Sequence, residues 1–285
     1  MKTILKGTST EIAVNTDGPV VMIGEKINPT GHKKLAQALQ EGRLEYAVEL
    51  AVKQAAAGAD ILDVNVGVPG IDDVAMLPKV VRMVAEAVGL PICLDTPNPK
   101  ALAAALPVAP GKPLVNSVNG EEASLNAILP LVKDRGAAVI GLTLDGTGIP
   151  TDPQTRLAIA AKIIERATRL GIPREDILID PLVLTIGADS YAGKATLQAV
   201  QLIHKEFGVN ISLGASNVSF GLPDRPTLNT AFLVMLIQAG ASSVITDVAR
   251  MGYTVRAADL LLGRDEYAAS YIRYYRKHPR EVSQP

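Results

Sequence analysis

The chain has 285 residues, 48% of them hydrophobic and 20% charged, with a formal net charge of -1. That length and apolar content suit one large core, and a near-neutral balance without a basic block leaves no electrostatic footprint for nucleic acid. The single cysteine, Cys93, lies inside an apolar run, which excludes a disulfide framework and a thiolate zinc site.

The first seven residues, Met1 to Gly7, lack the apolar stretch of a secretory signal, and no run approaches the roughly 18 apolar residues of a membrane span. One cytoplasmic domain covering residues 1–285 is expected, with small polar molecules and proteins as partners. Eight short β-branched, aliphatic runs then follow in chain order, each ending in a carboxylate or carboxamide. The first, from Val21, ends at Glu25; the second, from Ile61, carries Asp63 and ends at Asn65. The next two run from Ile92 to Asp95 and from Leu114 to Asn116. The fifth runs from Val139 to Asp145, the sixth from Ile177 to Asp180, the seventh from Ile211 to Asn217 and the eighth from Val244 to Asp247.

Between the runs the period changes. Val74, Leu77, Val81, Val84 and Val88 recur at helical spacing, as do Leu125, Ile128, Leu129 and Val132, so strand and helix alternate. The runs are almost continuously apolar, which is the pattern of parallel strands covered by helices. Eight such units predict a closed (β/α)8 TIM barrel. The structural alternative is a doubly wound open sheet, but the first strand is followed by Gly24-Glu25-Lys26-Ile27-Asn28 and not by a Gly-x-Gly-x-x-Gly turn. Glycines in the turns at Gly58, Gly136 and Gly240 stop helices before the next strand. The segment from Tyr267 to Lys277 holds four of the seven tyrosines at helical spacing and reads as a closing helix, or as a contact surface.

In a barrel the functional groups gather at the carboxyl ends of the strands. Asp95, Asn116, Asp180 and Asn217 converge there as acceptors and donors without a strong nucleophile. An aminopyrimidinone offers adjacent N–H donors that one carboxylate accepts together, so the set suits a heterocycle of the pterin kind better than a phosphate. Leu213-Gly214-Ala215-Ser216-Asn217 is only faintly like a phosphate loop. Taken singly, each acid or amide also reads as a helix cap. Glu25, Asp63 and Asn65 either line the mouth or brace the first loops, while Cys93 reads as core and His32 as surface.

At this level the motifs resemble those of the pterin-binding methyltransferases. The matching stretches are Ile23-Gly24-Glu25-Lys26-Ile27-Asn28, Gly58 to Gly67, Cys93-Leu94-Asp95-Thr96, Val115-Asn116-Ser117, Ile140-Gly141-Leu142-Thr143, Ile179-Asp180-Pro181-Leu182 and Ser216-Asn217-Val218-Ser219. They cover nearly the whole chain, and the nearest branch is the methyltetrahydrofolate:corrinoid protein methyltransferases. The resemblance implies a dihydropteroate-synthase-like barrel that takes tetrahydrofolate or 5-methyltetrahydrofolate as substrate. It implies Asp95, Asn116 and Asp180 on the pterin, with Asn217 at N5, and Asn217, Asp95 and Asp180 as the catalytic set. Gly214, Ser216, Glu25, Asp63 and Asn65 join the substrate-binding residues, with Arg225 toward the benzoyl-glutamate tail and Phe220 either stacked near the ring or closing its loop.

The acceptor or donor implied is the cobalt of a corrinoid on a separate protein, because none of His32, His204 or His278 sits in an Asp-x-His-x-x-Gly motif. A homodimer is implied as well. Two readings stay beside this one. A dihydropteroate synthase is the first, although Asn28-Pro29-Thr30-Gly31 and Ser216-Asn217-Val218 depart from its anion-binding motifs. A non-catalytic folate-binding protein is the second. The stretch from Phe220 to Pro226 departs from the methyltransferase pattern too, where Arg225 reads either as a tail contact or as a loop salt bridge.

Overall fold

A computed structural model describes residues 1–279. The chain opens with an antiparallel hairpin, β1 (Lys2–Lys6) and β2 (Glu11–Asn15). Eight parallel strands follow: β3 (Val21–Ile27), β4 (Ile61–Val64), β5 (Ile92–Asp95), β6 (Leu114–Asn119), β7 (Ala138–Leu142), β8 (Ile177–Asp180), β9 (Asn210–Gly214) and β10 (Ser243–Thr246). They close in sequence order, with β10 pairing back to β3, so the closed barrel is the architecture and the open sheet is not. The helices are α1 (Lys33–Gln40), α2 (Glu45–Ala56), α3 (Asp73–Val88), α4 (Pro99–Ala105), α5 (Glu122–Arg135), α6 (Pro153–Arg169), α7 (Ala192–Phe207), α8 (Arg225–Ala239), α9 (Val248–Leu261) and α10 (Ala269–Lys277). None of the described helices is long and apolar enough to cross a membrane.

Side chains alternate across a strand, and this two-residue period sorts the apolar runs into two layers. Met22, Leu62, Leu94, Val115, Val139, Ile179, Leu213 and Val244 pack between the barrel and its helices. Ile23, Ile61, Cys93, Leu114, Ala138, Ile140 and Leu178 form a second cluster inside the barrel, joined by Leu5 and Val14 of the hairpin. The hairpin therefore plugs the amino-terminal end. The buried Asn210 amide fixes it there by donating to Thr3 Oγ1 (2.8 Å) and Val14 O (3.0 Å). Continue the inner positions by two residues and Glu25, Asp63, Asp95, Asn116 and Asp180 fall on the inner face at the opposite rim.

Three sequence expectations need correction. The run Val139–Asp145 is not one strand: β7 ends at Leu142, and Asp145 closes a turn by accepting from the Thr147 N–H (2.9 Å) and Oγ1 (2.7 Å). The run Ile211–Asn217 likewise stops as a strand at Gly214, and Asn217 lies on the short 3-10 turn Ala215–Ser219. The tyrosine-rich segment does not begin as an α-helix, since Tyr267 and Ala268 have φ of 54° and 56° and α10 starts after them. Within α10, Tyr274 is the buried tyrosine: it packs edge-on against Tyr253 and its hydroxyl donates to Ala57 O (3.1 Å).

Candidate active site

The rim begins with a bulge. The pairing of β3 with β4 shifts register between Gly24 and Ile27, which leaves the Lys26 N–H off the ladder. Gln54 of α2 accepts that N–H through Oε1 (2.8 Å). A Cβ on Gly24 would lie 2.5 Å from the same oxygen, so any larger residue must push the Gln54 side chain aside. Gly24→Ala should displace Gln54 and orphan the Lys26 N–H, costing about 1–3 kcal/mol in urea unfolding. An unchanged unfolding midpoint would refute this role for Gln54. The bulge presents Glu25 half-buried at the mouth, where burial raises its carboxyl despite Lys26 at 3.7 Å. Lys26 pairs more closely with Asp247 (2.8 Å), tying β3 to the start of α9.

Asp63 and Asp95 project from neighbouring strands into the same space. Asp63 is buried, and desolvation first, then the charge of Asp95, holds its carboxyl far above the usual carboxylate range. Desolvation raises Asp95 as well, opposed by hydrogen bonds from Asn65 and Asp63. Burial and the neighbouring charge both disfavour ionising the two carboxyls together, so the pair favours retaining a shared proton. Asn65 Nδ2 donates to Asp95 Oδ2 (3.0 Å), Asn28 Nδ2 reaches the same oxygen (3.4 Å), and Asn116 Nδ2 donates to Asp63 Oδ1 (3.2 Å). Cys93 lies in the barrel core as expected, and burial followed by the charge of Asp63 pushes its thiol up, so it remains neutral. His32 caps α1, accepting from the Leu35 N–H (3.1 Å).

Asp180 ends β8 almost fully buried. Burial raises its carboxyl to about 7, against the Leu182 N–H, which donates to Oδ1 (2.7 Å), and against the positive charge of Arg156. Arg156 and Asn28 are the polar neighbours that sequence reasoning missed. Asn28 stood in a quoted motif one residue past β3, but nothing local linked it to Asp95. Arg156 falls in helical phase with Ile159, Ala160 and Ile163 on the buried face of α6, and that placement of a cation was the signal for it.

After β9 the chain makes its 3-10 turn, leaving Asn217 exposed, Ser216 and Gly214 half-buried, and Phe220 exposed. Arg225 braces this loop: Nη2 donates to Ser216 O (3.0 Å), Nε to Ser219 Oγ (3.1 Å), and the guanidinium lies 5.8 Å from the Phe220 ring centre. Beside the mouth, a cleft of about 590 Å³ runs between Glu25 and Lys26, Ser216, Arg225 and the amino-terminal half of α8, and Asp247 and Arg250. The expected residues thus divide. Asp63, Asn65, Asp95 and Asn116 form one hydrogen-bonded group, Asp180 stands in a second, and Glu25, Ser216 and Arg225 border the cleft, with Asn217 on the outer turn.

The sequence matches the family model for pterin binding enzymes over residues 24–247. It is 30% identical over 265 residues to the methylcorrinoid:tetrahydrofolate methyltransferase of Eubacterium limosum, covering 90% of this chain and 97% of that protein. It is 32% identical over 255 residues to the methionine synthase of Mycobacterium tuberculosis, covering 85% of this chain and 21% of that longer protein. Among solved structures, dihydropteroate synthase from Xanthomonas albilineans with 4-aminobenzoic acid superposes with a TM-score of 0.68 at 22% identity, covering 92% of this chain and 98% of that one. At that identity the superposition establishes the shared barrel. The family match takes in all eight barrel strands except the first residues of β3, and with it every acid and amide at the mouth: the chain belongs to the pterin binding enzymes.

Proposed function

We propose that this protein moves a methyl group between N5 of tetrahydrofolate and the cobalt of a corrinoid carried by a separate protein. The observation that carries the reading is the near full-length similarity to a methylcorrinoid:tetrahydrofolate methyltransferase. The chemistry of the mouth supports it, because acids and amides that offer no strong nucleophile suit a reaction in which the enzyme orients and polarises.

In this reading Asp95, Asn116 and Asp180 hold the pterin. An ionised Asp95 or Asp180 accepts the adjacent N–H donors of the ring, and the amides meet its carbonyl and ring nitrogens. Asp63 keeps Asp95 in place from below by donating the shared proton, while Asn65 fixes it from the side. Asn217 reaches N5 from the exposed turn and donates a hydrogen bond there. N5 is a poor leaving group when the methyl departs, and a donor at that atom stabilises the charge change. Glu25, Gly214 and Ser216 line the approach, and the cleft beside them, with Arg225 and Phe220 at its edge, takes the benzoyl-glutamate tail. The corrinoid supplies the cobalt that accepts or gives the methyl group, and this chain's residues act on the folate alone. A homodimer, a cytoplasmic setting and a single domain belong to the same proposal.

The test uses tetrahydrofolate and methylcobalamin with the purified protein, with methylated folate followed by mass spectrometry. Methyltetrahydrofolate should form well above the protein-free control. If folate binds but no methylated product appears, the protein is a folate-binding protein instead. If dihydropterin pyrophosphate and p-aminobenzoate are joined, it is a synthase.

A further inference from the structure

Arg156 is the largest completely buried side chain among the described residues. From α6 it joins three segments. Nε donates to Pro150 O (2.7 Å) in the loop after β7, while Nη1 donates to Pro181 O (3.1 Å) and Leu182 O (3.0 Å) after β8 and to Thr196 Oγ1 (3.1 Å) on α7. Nη2 is buried without a hydrogen-bond partner among the described residues. A buried guanidinium whose hydrogen bonds all go to neutral oxygens is costly, so a fold that keeps one spends stability on it.

The Pro181–Leu182 peptide shows what that position does. Its carbonyl accepts from Arg156 and its N–H donates to Asp180 Oδ1 (2.7 Å), so one amide links the guanidinium to the carboxyl. Such a chain polarises along its length. Leu182 is held at φ of 63°, a left-handed conformation that disfavours a residue with a Cβ by about 1–2 kcal/mol. Arg156 grips the carbonyl on each side of that residue, and Thr196 Oγ1 adds a bond to Leu182 O (3.1 Å). Among the described residues Arg156 is the one charged group acting on Asp180; Arg156 itself feels Asp180 and, at the start of α6, Asp152. The facing groups on β7 and α7, Leu142 and Thr196, do not titrate.

We propose that Arg156 is the positioning residue of Asp180: through the Pro181–Leu182 peptide it fixes the carboxyl at the mouth, and it supplies the positive charge that the carboxylate faces. The pterin-holding purpose rests on the function proposed above, whereas the coupling of the two side chains does not. The experiment therefore reads Asp180 in the ligand-free protein, by the 13C shift of its labelled carboxyl, assigned by its loss in Asp180→Asn. In the wild type the carboxyl should titrate near pH 7. Arg156→Met should move that midpoint upward by about one pH unit or more, the size expected for loss of one nearby opposite charge. Arg156→Lys keeps the charge and should leave the midpoint in place while weakening methyltetrahydrofolate binding several-fold at pH 8, because the fork onto the two carbonyls is gone.

A midpoint unmoved in Arg156→Met, with only a fall in thermal stability, overturns the proposal. If Arg156→Met does not fold, Thr196→Val removes the hydroxyl shared by Arg156 and Leu182. It should then weaken folate binding at pH 8 several-fold without moving the midpoint, and unchanged affinity overturns the proposal in that case. Wild-type protein that binds no folate defeats the proposed function, yet the Arg156→Met titration still decides the coupling.

Discussion

Replacing Asp180 with asparagine is expected to stabilise the protein above pH 7 and to strip most of its affinity for folate. Burial lifts the Asp180 carboxyl from its ordinary 3.8 to about 7. Between those values the folded chain holds a proton that the unfolded chain has released, so stability falls as pH rises through that window and the full cost stands above pH 7. A displacement of about 3 units corresponds to roughly 4 kcal/mol as an upper bound, at ~1.36 kcal/mol per unit. Asparagine is neutral at every pH and its oxygen still accepts the Leu182 N–H. Urea unfolding at pH 5 and pH 8 should therefore show the variant gaining at pH 8 and a smaller difference between the two conditions. Equilibrium dialysis with methyltetrahydrofolate should show a loss of about 1–3 kcal/mol in affinity if, as proposed, the pterin N–H donors lose their charged acceptor. A variant less stable than wild type at pH 8 would contradict the burial argument.

Asn217→Ala should behave in the opposite way. The side chain is exposed on the turn after β9, so truncation should leave unfolding within about 0.5 kcal/mol of wild type. Its proposed bond to N5 strengthens only as charge changes on that atom, so the loss belongs in the barrier and not in ground-state binding. A reduction of about 2–4 kcal/mol in transition-state stabilisation is expected, the scale measured for removing one such donor elsewhere. Stopped-flow rates at saturating folate, set beside dialysis constants, separate the two. A variant that binds folate poorly but transfers normally once saturated would place Asn217 on the substrate and not on the reacting atom.

Together the two variants divide the polar rim into a part that costs folding stability and a part that does not. That division was not visible along the chain. The strands were legible because buried parallel β-strands have continuous aliphatic runs, and their parity sends Asp63, Asp95, Asn116 and Asp180 inward. The shared proton of Asp63 and Asp95 was not, since it depends on the spacing of two adjacent strands and on desolvation by the core beneath. The helical period does put Arg156 in phase with Ile159, Ala160 and Ile163 on the buried face of α6, but its partners lie in the αL turn at Leu182, and that turn has no glycine to announce it. The hairpin from Lys2 to Asn15 is hard to read from the sequence because its strands are short and half polar, and the Asn210 amide that holds it lies about 200 residues further along the chain. Asn217 reads as a strand end because nothing at Gly214 signals a break, whereas the chain turns there into the 3-10 segment Ala215–Ser219.

Methyl transfer from folate to cobalt can be watched directly. Methyltetrahydrofolate and cob(I)alamin are mixed with the protein under anaerobic conditions, and the cobalt(I) absorbance is followed. The band should decay at a rate proportional to protein concentration, with methylcobalamin and tetrahydrofolate formed in equal amounts. A cobalt(I) band that persists while the protein demonstrably binds methyltetrahydrofolate would contradict the proposed methyl transfer.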